Sequence, residues 1–580
     1  METSRFDIWV QDCMSRILPF QKVPDDMKKK IYLQAAGNET ACFQIGMCGV
    51  RSRLLHLKVI PTDIKSLEGA VIPKENIDIL YAELVPVHWN SWGSPPEDLE
   101  GIAPGFFPDP LLRSPWRGAW GNKVLFSIWV RIKIEPSFAP GKYRGRVALI
   151  NEGEKKQVDF TIEILPFSLP KESHFLMSNW LFIEPILQFH RIKPFTHEFW
   201  KIVEIYAKNL SSHRQNVIMT PLFAINHRKA ESESARQLID ITENSPGKYS
   251  FKFQNFDRWT NIFFNNGFQL IEGIPLASSS VNPAVVLIKK HGKNQVEKHK
   301  FSSTLDRDYR NFLKQYLLAL RNHLSRKGWL DKFCLHISDE PKAEELETYT
   351  GLARLVKTIS PEFKIIDALS TPDLKKFVKY MDYPVPLENR YEQILHESGI
   401  PKERIWFYYC NGPVGAWPNR YMDYLLIRVR IFTWLAFKYN ARGFLHWGLN
   451  HWTWHPPYYR EETYNPYDNT TGGRLQAGDS YVLYPPCMPS KSHEPVDSIR
   501  WEIIRKAMED YEYLYLLREL LEKGNGTAKL IKHGNELMKE FEEKIVPGFT
   551  NHTRDAAYLE DFRSRMAKLI VKLQQEADRQ

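Results

Sequence analysis

Cysteine is scarce in this chain: six occur in 580 residues, at Cys13, Cys42, Cys48, Cys334, Cys410 and Cys487. None stands in a paired CxxC or a zinc-ligand spacing, so no metal site and no disulfide framework is expected. No apolar run approaches the ~20 residues of a spanning helix, which excludes an integral membrane helix. The opening METSRFDIWV has neither the basic start nor the apolar centre of a secretory leader, and a reducing, cytoplasmic setting is expected. Excess charge is slight too: 78 Lys+Arg against 69 Asp+Glu leave +9. The basic runs, Lys28–Lys30 and Lys289-Lys290, are short, so neither nucleic acid nor a membrane is an expected partner. Internal repeats and low-complexity tracts are absent, and oligomeric state is not readable.

Aromatic residues are plentiful, at 13% with 17 Trp. Large flat side chains suit sugar faces or bases, although most fill cores. Hydrophobic residues at 43% and charged residues at 25% mark an ordinary globular protein. The length allows three or four domains of ~150 residues, or two larger ones.

From about residue 30 to 168 the runs are β-rich: Ile31–Met47, Leu54–Ile64, Val124–Ile134 and Gly145–Ile150, with turn chemistry at Pro140-Gly141 and Asn151–Gly153. This pattern predicts a β-sandwich, with Ile162–Pro170 as its exit. From Ser173 the grain changes. Short apolar runs begin at His174, Asn216, Gly267, Lys332, Phe363, Asp382, Arg404 and Gly443, alternating with amphipathic stretches such as Phe199–Ser212, Tyr309–Lys327, Glu345–Ile359 and Tyr424–Tyr439. Eight strands separated by helices predict an α/β fold with a (β/α)8 TIM-like barrel. The alternative, a doubly wound sheet, lacks a Gly-rich phosphate loop after its first strand. Val496–Lys523 is expected to close the barrel, and Ala528–Lys544 and Asp555–Asp578 to form a helical hairpin. The expected organisation is a sandwich over 1–168, a catalytic barrel over 169–523 and a helical extension over 524–580.

The informative site is Ser338-Asp339-Glu340-Pro341, at the end of the fourth strand. Function in a parallel barrel gathers at the C-terminal strand ends. Two neighbouring carboxylates beside a buried strand cannot both ionise easily, which leaves an acid beside an anion. Glycoside hydrolysis needs that pairing. The bland alternative is a helix N-cap at Asp339 with Glu340 in the first turn. Adjacent residues rarely give the separation of about 6.5–9.5 Å that an inverting enzyme uses. Attack by the substrate's own 2-acetamido oxygen resolves this, one carboxylate orienting the acetamido group while the other protonates the leaving oxygen.

Three later blocks, GFLHWGLNHW (Gly443–Trp452), LQAGDSYVLYP (Leu475–Pro485) and Asp497–Leu517, resemble the C-terminal half of glycoside hydrolase family 123. SDEP is similar to that family's Asp-Glu pair, Arg404–Arg420 to its seventh-strand region, and Asp109–Leu149 to the sandwich preceding its barrel. The resemblance implies a cofactor-free exo-acting N-acetyl-β-galactosaminidase with a carbohydrate substrate. It assigns Asp339 to the acetamido group and Glu340 to acid/base work.

Further candidates for substrate contact lie at other strand ends. Asn179 and Trp180 end the first strand, Tyr408 and Asn411 the seventh, and Trp447, Asn450 and Trp452 follow the eighth. Asp479 sits in a loop over the mouth, and Glu272 ends the third strand as a weaker candidate. Each has a structural alternative, a core aromatic or an internal hydrogen bond. His213, Arg214 and Asn216 precede the second strand, on the rim that serves stability, and are set aside. The aromatic segment 455–473 is a candidate for outer sugar contacts or a structural loop. Two other functions remain open: a glycosidase for plain sugars using Glu272 or Asp479 as nucleophile, and a carbohydrate-binding protein without catalysis.

Overall fold

A computed structural model describes residues 6–49, 57–115, 124–225, 237–277, 283, 285–291, 295–452, 466–469, 475–486, 493–577 and 579. Most of the segment 455–473, and Cys487, lie outside these residues. For 285–291 and 295–300 only the backbone is described.

Two sheets face each other in the N-terminal part. One runs in the order Phe6–Gln11, Glu39–Gly49, Leu125–Ile134, Ile77–Val87, Gly105–Leu112 and Asp497–Ser498. The other joins Lys30–Gly37, Glu154–Ser168, Gly141–Asn151, Ile64–Ser66 and Val71–Ile72, with Lys58–Pro61 also on Gly141–Asn151. Inward residues such as Phe43, Ile45, Val130, Val147, Phe160 and Ile162 fill the space between them. This is the expected sandwich, with two differences. The run 31–47 is two strands rather than one, broken at Asn38 (φ 59°), and its halves lie in opposite sheets. Asn tolerates that left-handed turn, which the apolar pattern hides. The supposed exit is still strand, since Glu154–Ser168 continues through it.

Eight parallel strands follow: Leu176–Asn179, Val217–Thr220, Leu270–Gly273, Phe333–Leu335, Lys364–Leu369, Tyr383–Pro386, Trp406–Tyr408 and Gly443–His446. Every one falls inside an expected run. They are joined in the order 6-5-4-3-2-1-8-7, and the bridge Leu387–Tyr408 brings the sixth and seventh together into a nearly closed barrel. Helices His197–Ser212, Arg307–Lys327 and Leu346–Ile359 lie where the periodicity places them. The stretch expected as Tyr424–Tyr439 instead begins at Leu426 and is two short helices, Leu426–Arg430 and Phe432–Tyr439.

Connections after the second and third strands carry an unforeseen small sheet built from Ala224–Ile225, Asp240–Ser245, Lys248–Lys252, Val285–His291 and Gln295–Lys300. Such connections emerge at the C-terminal rim. After the barrel the chain returns to the sandwich: Asp497–Ser498 pairs with Pro110 and Leu111. Helix Ile499–Glu522 then starts on a Ser498 cap. Its first turns are buried all round, charged residues included. Arg500 donates to Asp109 of the sandwich at 2.9 Å, and Asp510 accepts from Arg430 of the barrel and Arg563 of the last helix at 2.6 Å each. Ala528–Glu540 and Ala556–Ala577 follow. Among the described residues no helix is long and apolar enough to cross a membrane.

Candidate active site

Past Leu335 the chain stays extended beside the third strand's continuation, with Ala277 donating its N–H to the Ile337 carbonyl at 2.8 Å and bridging Ser338. Asp339 and Glu340 come next. In an extended chain neighbouring side chains point to opposite faces. Glu340 breaks that alternation with φ at 45°, the left-handed region, directly before Pro341. Left-handed backbone is costly for a residue bearing a Cβ, and α-like conformations are further disfavoured before proline. The turn of helix that follows begins at Ala343 with Lys342 as its cap, so neither carboxylate occupies the N-cap that the bland reading required.

Both acids are partly buried. The Tyr408 hydroxyl donates to Glu340 Oε1. Burial, and next the charge of Glu340, push the Asp339 carboxyl up to about 7, while His336 pulls it down. Tyr408, itself almost fully buried, has its phenol pushed up by burial and by the same two carboxylates.

Beneath the pair lies a charged network within the barrel. His336 makes hydrogen bonds to Glu272 Oε1 at 2.6 Å and to Asp367 Oδ1 at 3.0 Å, all three side chains fully buried. Burial opposes a charged ring, but hydrogen bonds to the two carboxylates outweigh it and raise the imidazole to about 10. At neutral pH His336 is therefore a cation with both ring nitrogens donating. Asp367 also accepts from the backbone N–H of Ile337 at 3.1 Å and of Ser338 at 3.3 Å, and from the Tyr349 hydroxyl at 2.7 Å. It thus grips the backbone immediately ahead of Asp339. Glu272 accepts from the Trp180 indole at 2.8 Å and from the Ser178 hydroxyl. Glu272 is consequently a structural partner of His336 and Trp180.

A second polar wall follows the seventh and eighth strands. The Trp447 indole donates to Asp479 Oδ2 at 3.1 Å, and His446 Nε2 stands 3.4 Å from Asp479 Oδ1. Burial first, then the charges of Arg420 and Arg500, depress His446 well below its usual value. Its Nδ1 accepts from Gly448 N at 3.0 Å and from Arg420 at 2.6 Å, which leaves the proton on Nε2, towards Asp479. Burial raises Asp479 to about 6. Arg420 is pushed down to about 9 by burial.

The expected substrate contacts divide into two groups. Tyr408 adjoins Glu340, Trp180 lies on the charged floor against Glu272 and His336, and Trp447 and Asp479 belong to this wall. Asn411 accepts from Gln476 N at 2.8 Å in the loop layer above it. Asn179, Asn450 and Trp452 form the frame, held by contacts within it, and Asp479 is buried as fully as they are. Asn179 binds Gln215 and Arg420, both ends of the Asn450 amide are held by the Phe182 backbone, and the Trp452 indole donates to Leu483 O at 2.8 Å. Residues just past the strand ends fall in both groups, and position alone does not separate them.

Sequence reading passed over His336, Asp367, His446 and Arg420. Their signal was faint: a polar group inside an apolar strand run of a barrel needs a partner, but the sequence does not say which. On the opposite rim, His213 stacks on Trp501 and bonds Glu502 at 3.0 Å, Asn216 holds the Met177 N–H at 2.8 Å, and Arg214 donates to Asn38 O at 2.7 Å. His213, Asp497 and Glu502 lie close enough to share a cation. Arg131 already occupies both carboxylates, at 2.8 and 2.7 Å. A cavity of about 930 Å³ on this side, lined by Arg131, Arg214 and Glu509 among others, lies between sandwich and barrel, away from the acid pair.

The family model for the glycoside hydrolase 123 catalytic domain matches residues 180–517. No curated protein matches the chain. Among solved structures, a family 123 glycoside hydrolase from Clostridium perfringens, studied for glycolipid glycan hydrolysis, is similar over 99% of this chain and 99% of its own. Its TM-score is 0.72 at 18% identity. An endo-β-1,4-mannanase from Thermotoga petrophila reaches a TM-score of 0.34 at 12% identity, covering 59% of this chain and 77% of its own. An FMN-binding β-glucuronidase from Facaelibacterium prausnitzii reaches 0.29 at 9%, covering 83% and 60%. The family match spans more than half of the sequence and brackets the acid pair, the charged floor and the Asp479 wall: this chain belongs to glycoside hydrolase family 123 and is a glycosidase.

Proposed function

We propose that the protein removes terminal β-linked 2-acetamido sugars, of the N-acetylgalactosamine type, with retention of configuration. The observation that carries this reading is the left-handed Glu340, which frees two consecutive carboxyls from pointing to opposite faces above a buried cation. The acetamido carbonyl oxygen attacks the anomeric carbon, the bond to the leaving oxygen breaks, and Glu340 gives that oxygen its proton. Asp339 accepts the acetamido N–H and offsets the positive charge of the oxazolinium. Water then adds to the anomeric carbon as Glu340 takes its proton back, and the acetamido group is restored.

Asp339, raised to about 7 by burial and by the charge of Glu340, takes up a proton far more readily than an ordinary carboxylate in the free protein. An arriving acetamido N–H needs an acceptor there, which favours ionised Asp339. Plain-sugar hydrolysis has less support, because its candidate nucleophiles are engaged: Glu272 by His336 and Trp180, Asp479 by Trp447.

A panel of aryl β-glycosides with and without the 2-acetamido group tests the substrate class, turnover of the acetamido sugars alone being expected. Glu340→Gln should lose about 10²–10⁴-fold on a poor leaving group and far less on an activated aryl one. Equal losses on both would remove Glu340 from the acid role. A thiazoline mimic of the cyclised intermediate should bind wild type far more tightly than the product sugar, and failure to do so rules out the acetamido route.

A further inference from the structure

The sandwich connection 88–104, between strands Ile77–Val87 and Gly105–Leu112, crosses to the barrel mouth and is fixed there by buried and half-buried polar contacts. Asp423, fully buried in the loop after the seventh barrel strand, accepts from Ser91 N at 2.6 Å, Ser91 Oγ at 2.7 Å and Asn90 Nδ2 at 3.1 Å. Asn90 also accepts from Ala103 N at 2.9 Å, Ser94 pairs with the Tyr424 hydroxyl at 2.6 Å, and Leu99 bridges Tyr424. Burying a carboxylate is expensive unless its partners are arranged for it. Here the arrangement serves to immobilise a loop tip whose two indoles stay in solvent, Trp89 at 49% and Trp92 at 57% exposed.

The place of that tip is specific. Trp92 N donates to Gln476 Oε1 at 3.3 Å, Gln476 N donates to Asn411, and Asn411 lies three residues beyond Tyr408, the donor to Glu340. The tip therefore stands against the loop layer over the mouth, next to the loop that follows Tyr408, and that side is assigned to the leaving group. Gly93, at φ 73°, lies against Val414 of the same barrel loop, and a Cβ there would meet that side chain at 2.9 Å. A rigid, exposed indole offers a pyranose ring a flat apolar face at little ordering cost.

We propose that Trp92, extended outward by Trp89, is a sugar-stacking platform for the first ring of the leaving group. In this arrangement the sandwich supplies part of the substrate site. The inference rests on the glycosidase reading of the acid pair but not on which sugar is cleaved.

The test compares wild type, Trp92→Ala and the double change with Trp89→Ala. The substrates are 2-acetamido-2-deoxy-β-galactosyl fluoride, whose leaving group reaches no platform, and the same sugar β-1,3-linked to galactose. The kcat/KM ratio of disaccharide to fluoride should fall about tenfold in Trp92→Ala, mostly through KM, and Trp92→Tyr should restore much of it. A ratio within twofold of wild type in both variants overturns the platform. If wild type ignores both probes, the acetamido reading fails instead, and the platform is tested with the matching fluoride and disaccharide of whichever sugar the aryl panel shows to be cleaved.

Discussion

Glu340 and Pro341 form a costly dipeptide, because left-handed backbone is disfavoured for glutamate and more so ahead of proline. Its neighbour Asp339 is costly in another way. The folded protein holds that carboxyl near 7, against 3.8 as the ordinary value. Between about pH 4 and 7 the native state thus binds more protons than the unfolded chain, and stability falls as pH rises through that window. Asp339→Asn removes the effect. The variant should match wild type near pH 4 and exceed it by about 1–3 kcal/mol near pH 8, while its activity collapses. Thermal unfolding followed across that range checks it. A variant less stable than wild type at pH 8 would show that the carboxylate sits there without penalty.

At the scale of elements, three strands meet in the charged floor. Glu272 comes from the third, His336 from just past the fourth and Asp367 from the fifth, so the imidazolium joins staves that the ladder alone connects loosely. His336→Gln strands two buried carboxylates and should cost about 3–5 kcal/mol at neutral pH. His336 is raised from 6.5 to about 10, so its contribution is complete below pH 6.5 and disappears as pH climbs through 10. The stability gap between wild type and variant should close over that interval. Loss of the cation also lifts Asp339 further, and the pH–rate optimum of the folded variant should move upward; a reduced but unshifted profile would assign His336 to packing alone. These staves were legible as apolar runs between turn-forming residues, because a parallel strand buried on both faces has no alternation to confuse it. Their single polar residues were not, since one histidine in FCLHI becomes meaningful only once Asp367, 31 residues away, is seen beside it.

For the whole molecule, the helix Ile499–Glu522 is the joint between halves, and its Arg500–Asp109 pair is fully buried. Asp109→Ala leaves a guanidinium without its partner in the core and should cost about 3–5 kcal/mol. Calorimetry should still show sandwich and barrel melting in one transition, and two separated transitions would mean the halves do not share their stability. Both halves were legible in the sequence, since each has its own periodicity, and the Asp339-Glu340 pair drew notice because it follows a barrel strand. The sequence hid what depends on distant partners. Asp423 looks like any loop acid until Ser91 is found on it, and Trp92 looks like one of 17 tryptophans until Gln476 ties it to the mouth.

The two-residue strand Asp497–Ser498 has a consequence for synthesis. It covers part of Gly105–Leu112, yet nearly four hundred residues separate the two along the chain. A ribosome delivers the N-terminal sheets long before their last strand, and during that interval an apolar border lies open to pairing with a neighbouring nascent chain. Supplying a chaperone during synthesis is then expected to raise the yield of soluble protein, which co-expression checks.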